Sequence, residues 1–409
     1  MSGTDFEIVI AGGGPVGATL AALLARHGGV APARIALLAP DLERSLIPLA
    51  SDAPCDLRVV ALARAAQNVL RAAGAWQRMP AARICAYERM RIWHESLPVD
   101  GAATLVFDAA EIAEPELGVI VEQRAITTAA LRSFRDAGGT LLHGSLQGID
   151  MQADAAQVHS DAGRHTARLL VGADGVRSLV REQLRIPLQR HAYGQTAIVA
   201  TLASARPHQH TAWQRFLATG PVALLPLYDG HSSLVWSAAD AQVKELMAMP
   251  AAEFARRLTA ATDAVLGELS QVGERASFPL LRATTTRLTV PRGALVGDAA
   301  HQVHPLAGQG INLGFLDTAA LCEAVAEAMA TREDCGSLRC LRRYEQQRLT
   351  DDTLVSWSMS GFNALFSQGG AAGWFGSRAL AVAAGSALLR KQLARRAMGL
   401  TGEVPALAR

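Results

Sequence analysis

The chain lacks paired cysteines. Its five, Cys55, Cys85, Cys322, Cys335 and Cys340, form no CxxC pair and match no histidine spacing. That excludes a zinc site or a disulfide framework and reads as reduced, packed thiols. It also lacks an excess of one charge. The formal net charge is +2 and charged residues are interspersed, so no basic stripe exists to neutralise phosphates along a nucleic acid. Apolar runs are too short for a bilayer: none reaches the ~18 to 20 residues of a spanning helix. The Ala-rich stretch from Arg378 to Leu389 is closed by Arg390 and Lys391. Ser2 to Glu7 is polar and acidic, without the basic start and small-residue cleavage site of a signal peptide. A cytoplasmic location is the expectation. No repeat or low-complexity linker divides the chain, and 409 residues are too many for one simple core, so two interleaved domains are expected.

What is present begins at once. Glu7 to Ala11 reads as a buried parallel strand. It runs into Gly12-Gly-Gly14-Pro15-Val16-Gly17 and then into the apolar helical stretch Ala18 to Arg26. In this GxGxxG spacing Gly12 makes the tight turn, Gly14 admits a pyrophosphate to the backbone, and Gly17 lets the helix pack on the strand. The helix start then offers free N–H groups and partial positive charge to phosphates. Arg34 to Ala39 is a second apolar strand, which completes a βαβ opening. One departure is plain: the carboxylate that ends this second strand in dinucleotide-binding folds and bonds the ribose is absent, and Ala39-Pro40-Asp41 stands there. Two readings remain for Asp41, a ribose contact from two residues later or a surface turn.

Two later motifs are of the same kind. Arg168 to Ala173 is an apolar strand that ends in Asp174-Gly175, followed by Val176-Arg177-Ser178 and a helix start. Gly293 to Val296 ends in Gly297-Asp298-Ala-Ala-His301, and Pro305-Leu-Ala-Gly308-Gln309-Gly310-Ile311-Asn312 leads toward a helix read as Asp317 to Ala330. A strand ending in Gly-Asp can set a carboxylate against a polyol chain, and glycine-bared amides can meet an electron-poor carbonyl edge. A ribityl chain on an isoalloxazine ring asks for that combination. Asp174 and Arg177 can also be read as a helix cap or a local ion pair. His301 and His304 are three apart but have no third ligand, so no metal site is expected. The remaining histidines, His208 and His210 among them, are expected at the surface.

With these motifs in order, the chain resembles the para-hydroxybenzoate hydroxylase type of flavin monooxygenase, and within it the ubiquinone-biosynthesis hydroxylases. The closer likeness rests on Asp56-Leu-Arg58-Val-Val-Ala-Leu62, on Gly220-Pro-Val-Ala-Leu-Leu-Pro-Leu227 and on Leu234-Val-Trp236, and it extends to Gly399–Pro405. The resemblance implies an α/β fold. A glutathione-reductase-like Rossmann FAD domain (residues 1–75, 111–182 and 285–345) would interleave with a mixed or antiparallel-sheet substrate domain (76–110 and 183–284), followed by a C-terminal helical region (346–409) with an extended tail from Leu400. It further implies that Gly12, Gly14, Pro15, Val16 and Gly17 hold the pyrophosphate. Gly297 and Asp298 would hold the ribityl or nearby phosphate region, and Arg58 and Gln123 would lie along the same ligand. Asp174 would stand between flavin and nicotinamide, and Pro305, Gly308, Gln309, Gly310, Ile311 and Asn312 would line the flavin ring.

The chemistry implied is hydroxylation of an aromatic ring, with FAD reduced by NAD(P)H and oxygen transferred through a flavin hydroperoxide; no residue stands out as the phenol-activating group. The cofactor carries the hard step and the protein supplies orientation and a dry pocket. No second GxGxxG exists for a nicotinamide cofactor. Hydroxylation of another phenol, or service as a non-catalytic subunit of a quinone-biosynthesis complex, are the alternatives. A prenylated substrate would bring the enzyme to a membrane surface, to a complex of partners or into a homo-oligomer. Leu365, Phe366, Trp374 and Phe375, followed by Arg390, Lys391, Arg395 and Arg396, read either as an interfacial segment or as ordinary packing with solvated charges.

Overall fold

The computed structural model describes residues 4–50, 52–302, 309–348, 385–402 and 404–409, with the side chains at 309, 387 and 389 outside the description. Phe6–Ala11 is central in the first sheet. Ile8, Val9 and Ile10 are wholly buried, as expected of a parallel strand covered on both faces. It pairs in parallel with Ile35–Ala39 on one side and with Gly163–Gly172 on the other. The parallel order extends outward to Thr140–His143 and to Gly293–Leu295. The strands Leu146–Met151 and Ala156–Ser160 form an antiparallel ribbon on Gly163–Gly172. Helix Pro15–His27 packs against both Gln123–Asp136 and Gln309–Ala330. Small residues make this close packing workable: a Cβ on Gly314 would lie 2.8 Å from Val16 Cγ2.

The helix after the third motif therefore starts at Gln309, eight residues before the start read from the sequence. Two glycines in the first turns hide the helical pattern, because glycine costs a helix interior ~1 kcal/mol relative to alanine. Tertiary packing overrides that preference here.

A second sheet has eight strands. Its axis is a pair of 17-residue strands, Leu188–Ser204 and Leu269–Thr285, antiparallel to each other. Ser232–Ala239, Gly220–Pro226 and Thr211–Leu217 follow as antiparallel neighbours. Arg89–His94 then joins in parallel. One face is covered by helices Asp240–Ala248 and Ala251–Ala261 over a core of Ile198, Leu224, Leu234, Trp236, Phe254 and Leu258. The other face looks into the molecule's main cavity.

A small third sheet joins Val59–Leu62, Gly118–Glu122 and Cys85–Tyr87. Because Cys85–Tyr87 pairs with this strand, and Ala75 and Met79 sit in the first core, the segment from 76 to about 87 packs with the nucleotide lobe. The second lobe takes up the chain at Arg89.

At the C-terminus the helix Ala387–Ala397 docks through Ala394 and Met398 onto Ala109, Ile112 and Leu117. Beyond it the tail is not simply extended, since Ala406–Ala408 form a 3-10 turn whose last carbonyl accepts from Asn68 Nδ2 at 3.3 Å. Leu365, Phe366, Trp374 and Phe375 lie outside the described residues. His208 departs from expectation: it is 8% exposed, its ring nitrogen bonds the Leu227 carbonyl, and burial lowers its pKa. His210 is exposed. The polar sequence around them gave no sign that the turn folds back on the Leu227 strand.

Candidate functional site

A cavity of about 900 Å³ opens between the two lobes, at the upper end of the ~300–1,000 Å³ typical of ligand sites. Its floor is the first glycine turn. Gly12 has φ +121°, and a Cβ there would lie 2.2 Å from the Ala173 carbonyl oxygen. Gly17 is closed in the same way, its Cβ falling 2.0 Å from Gly12 O, whereas Gly14 has nothing within 4 Å. The turn is thus pressed against protein at Gly12 and Gly17 and bare at Gly14, where the cavity begins. Gly14 caps helix Pro15–His27 without a side chain and Pro15 takes the first position, so the next N–H groups face outward without helical partners. That is an anion cradle.

At the far end of this floor, Ala39, Pro40, Gly144 and Ser145 line the cavity while Asp41 does not. A Cβ on Gly13 would meet Ala39 Cβ at 2.8 Å, so the second strand approaches closely without offering an acid.

Arg58 and Gln123 also line the cavity, and one clamp positions both. The Gln123 amide donates to the Arg58 carbonyl at 2.9 Å, and the Arg58 amide donates to Asp56 Oδ1 at 3.0 Å. The Asp56 amide in turn donates to Glu122 Oε1 at 2.8 Å. Glu122 forms a bidentate pair with Arg83, at 2.7 Å and 2.8 Å, the two side chains being 1% and 2% exposed. The remaining Arg83 donors reach the carbonyls of Ala50, Ala53 and Pro54. Every N–H of this guanidinium is used, and the hydrogen bonds to Glu122 raise its pKa. The Arg58 guanidinium itself stands 5.3 Å from the centre of the Phe278 ring, which belongs to the other lobe.

Asp298 sits in the 3-10 turn Gly297–Ala299 with its side chain open to the cavity. Surrounding protein raises its carboxyl above the usual range, and His301 opposes this. The turn requires Gly297, whose φ is +59°. It is anchored by Asp317, which is wholly buried and accepts from the Gly297 amide at 2.9 Å, His301 Nε2 at 2.6 Å and Arg348 Nε at 2.8 Å. Burial alone would raise the Asp317 pKa; His301 and Arg348 outweigh it and hold the carboxyl below its ordinary value. His301 is therefore engaged in this network, and among the described residues no cluster has the makings of a metal site.

The two oxygens of Asp174 stand in different surroundings. Its Oδ2 accepts from the Val180 amide at 3.1 Å, which supports the helix-cap reading, while Oδ1 is buried without a partner among the described residues. Asp174, Gly175 and Arg177 all line the cavity, and no Asp174–Arg177 ion pair forms among the described residues. Gly310 and Ile311 line it too. Asn312 does not: its side-chain amide donates to the Ala61 carbonyl at 2.8 Å and its oxygen accepts from the Ala63 amide at 2.9 Å. It ties the helix to the strand Val59–Leu62. Pro305 and Gly308 lie outside the described residues, as does the Gln309 side chain.

Three residues that matter here were not singled out by sequence reasoning. Glu122 closes the apolar run Gly-Val-Ile-Val-Glu, and Asp317 interrupts the apolar Leu-Gly-Phe-Leu-Asp; a lone carboxylate in such a setting is itself a signal of a buried pair. Arg83 carries none.

The residues present fit a flavin dinucleotide: a bare glycine turn at a helix start, a carboxylate facing the same space, an unpartnered buried oxygen on Asp174, and room for a ring system under the second sheet. A nucleotide lobe closing on a sheet lobe over one cavity defines a two-lobed flavoprotein oxidoreductase. The chain belongs to the FAD binding domain family, which matches residues 5–355, and it is an FAD-dependent aromatic-ring monooxygenase. It is 33% identical over 370 residues to the 3-demethoxyubiquinol 3-hydroxylase of Escherichia coli, covering 90% of this chain and 91% of that one. It is 36% identical over 360 residues to the ubiquinone hydroxylase UbiL of Rhodospirillum rubrum, covering 85% and 79%. Among solved structures it is similar in fold to p-nitrophenol 4-monooxygenase PnpA of Pseudomonas putida, with a TM-score of 0.74 at 18% identity over 96% of this chain and 97% of that one.

Proposed function

We propose that this monooxygenase hydroxylates the ring of a ubiquinone precursor, with NAD(P)H as reductant and O2 as oxidant. The observation that carries the reading is the two-sided cavity, polar and backbone-lined below, largely apolar and sheet-lined above, in a chain whose relatives at 33% and 36% identity include two hydroxylases named for ubiquinol or ubiquinone. FAD, when bound, supplies the redox chemistry, passing two electrons from NAD(P)H to O2 so that one oxygen atom enters the ring and the other leaves as water.

The chain's own residues do the rest. Gly12 to Gly17 receive the pyrophosphate, Asp298 accepts hydrogen bonds from the ribityl region, Arg58 and Gln123 lie along the same ligand, and Gly310 and Ile311 border the ring. Asp174 Oδ1 offers an acceptor at the cavity wall. The apolar sheet keeps water from the reacting ring, the condition under which oxygen transfer outruns wasteful release of reduced oxygen. The test is direct: purified holoenzyme, NADH or NADPH, isotopically heavy O2 and a prenylated phenol in detergent micelles. One heavy oxygen atom should appear in the ring. Reductant consumption with no labelled product from any prenylphenol would refute the substrate class.

A prenyl tail requires delivery from a membrane surface or a partner, because among the described residues no helix is long and apolar enough to cross a membrane. The C-terminal helix offers a surface for this. Leu388 is 70% exposed, and Lys391, Arg395 and Arg396 are exposed beside it. Arg390 is not part of that free surface, since it pairs with Glu111 at 3.3 Å. Flotation with anionic liposomes should therefore be lost in a Lys391→Ser, Arg395→Ser, Arg396→Ser variant and retained in Arg390→Ser; absence of flotation at low salt would leave a protein partner as the delivery route.

A further inference from the structure

One row of side chains in the roof of the cavity is small and apolar up to its last member, beside a second row that includes Ala197 and Ser237. Across four neighbouring strands the register sets Val199 opposite Val235, Val235 opposite Ala223, and Ala223 opposite Gln214, all four lining the cavity. Alternation along a strand fixes which face each residue takes. The next residue on the strand shows the sidedness: Arg215 donates to the carbonyls of Ala260 and Ala261 in helix Ala251–Ala261, while Ala212, two residues before Gln214, lines the cavity with it. Gln214 faces the other way, into the cavity.

The residue is 6% exposed, yet its side-chain amide has no hydrogen-bond partner among the described residues and is not sealed from solvent as the buried unpartnered groups are. Its remaining exposure is therefore to the cavity it lines. Enclosing an amide without a partner is costly; neither the strands nor the helices offer one, so once a bound ligand displaces solvent from the cavity only that ligand can. Leucine at this place would match its apolar neighbours in the row. An amide that the fold does not use is accounted for by a ligand that does.

We propose that Gln214 is a substrate-recognition residue. Its side-chain amide hydrogen-bonds an oxygen substituent on the otherwise apolar ring, and so sets which ring the enzyme accepts and how that ring is turned. The amide can donate to a methoxy or phenolate oxygen and accept from a phenol O–H, so the class selected is an oxygenated, not a bare, aromatic. The inference rests on the ring-hydroxylase reading above and goes beyond it in naming the contact.

The test uses holoenzyme with FAD bound and no reductant, following perturbation of the flavin absorbance on titration with ortho-geranylphenol and with geranylbenzene, which lacks only the hydroxyl. Wild type should prefer the phenol by about 3- to 10-fold, the worth of one neutral hydrogen bond. Gln214→Leu should retain FAD and melt no lower than wild type, and bind the two probes within about 2-fold of each other. Gln214→Asn, which keeps a shorter amide, should retain part of the preference. An equal preference in wild type and Gln214→Leu overturns the proposal. So does loss of FAD or of stability in Gln214→Leu, which would make the amide a structural group. If wild type binds neither probe, the substrate reading fails first and takes this contact with it.

Discussion

The floor and the roof of the cavity are built by opposite means. The floor works through backbone: bare amides at Gly14, a turn that needs positive φ at Gly12 and Gly297, and one carboxylate on Asp298. The roof works through side chains spaced two apart on strands drawn from distant parts of the chain. The backbone site tolerates no side chain at Gly12 or Gly17, where a Cβ would fall 2.2 Å or 2.0 Å from a carbonyl oxygen. A sheet wall can exchange one side chain without a backbone clash, because the side chain projects toward the cavity, and the exchange then changes what the cavity admits. The difference suits a cofactor of fixed shape below and a substrate of adjustable shape above.

That contrast also depends on how each wall is held. Two buried charge clusters pin the floor from opposite sides: Arg83–Glu122 holds the chain leading to Arg58 and Gln123, and Asp317 with His301 and Arg348 holds the turn of Asp298. The largest effect should come from breaking the first. Glu122→Ala leaves Arg83 buried and uncompensated, which costs about 3–5 kcal/mol; chemical denaturation should show that loss together with weakened FAD retention. A melt within 1 °C of wild type would mean the clamp is not what positions this edge of the floor.

Asp298→Ala should act on the ligand and spare the fold, since its side chain faces the cavity. Loss of a hydrogen bond to a charged group, ~1.5–3 kcal/mol, corresponds to roughly tenfold or more in FAD affinity. Unchanged FAD occupancy in the purified variant would remove Asp298 from the site.

Much of the floor was legible because backbone recognition writes itself into sequence. Gly12-x-Gly14-x-x-Gly17, Asp174-Gly175 and Gly297-Asp298 each follow an apolar strand, and the fold brings all three motifs to one cavity. The position of Asn312 in the motif says nothing of where its side chain turns, and its amide bonds Ala61 and Ala63. The roof was legible only as an antiparallel sheet. Which residues of Thr211–Leu217 face inward depends on register with strands far away in the chain, and a one-residue slip would exchange Gln214 for its neighbours. The Arg83 clamp joins residues 39 apart, with no local pattern to announce it.

A smaller effect separates Asp317 of the second cluster from Asp298 on the turn it holds. Asp317 has a lowered folded pKa, so its stabilisation is present above the unfolded carboxylate value of ~3.9 and is lost as pH falls through the lower folded one. The Asp298 pKa is raised, so its influence on the fold runs the other way, full below the unfolded value and lost as pH rises through the folded one, while protonation weakens it as an acceptor for the ribityl chain. On acidification, release of FAD, followed by flavin fluorescence, should therefore precede loss of the fold, followed by far-UV circular dichroism. Coincident transitions, or melting first, would contradict the separate roles.

The division of the cavity into cofactor floor and substrate roof is tested most directly by filling the roof. Ala223→Leu projects a larger side chain from the centre of the sheet into the cavity, so the account predicts a folded yellow protein with wild-type FAD occupancy, no flavin perturbation by ortho-geranylphenol and no ring hydroxylation. Wild-type turnover in that variant, or loss of FAD in place of substrate binding, would show that the roof is not where the ring lies.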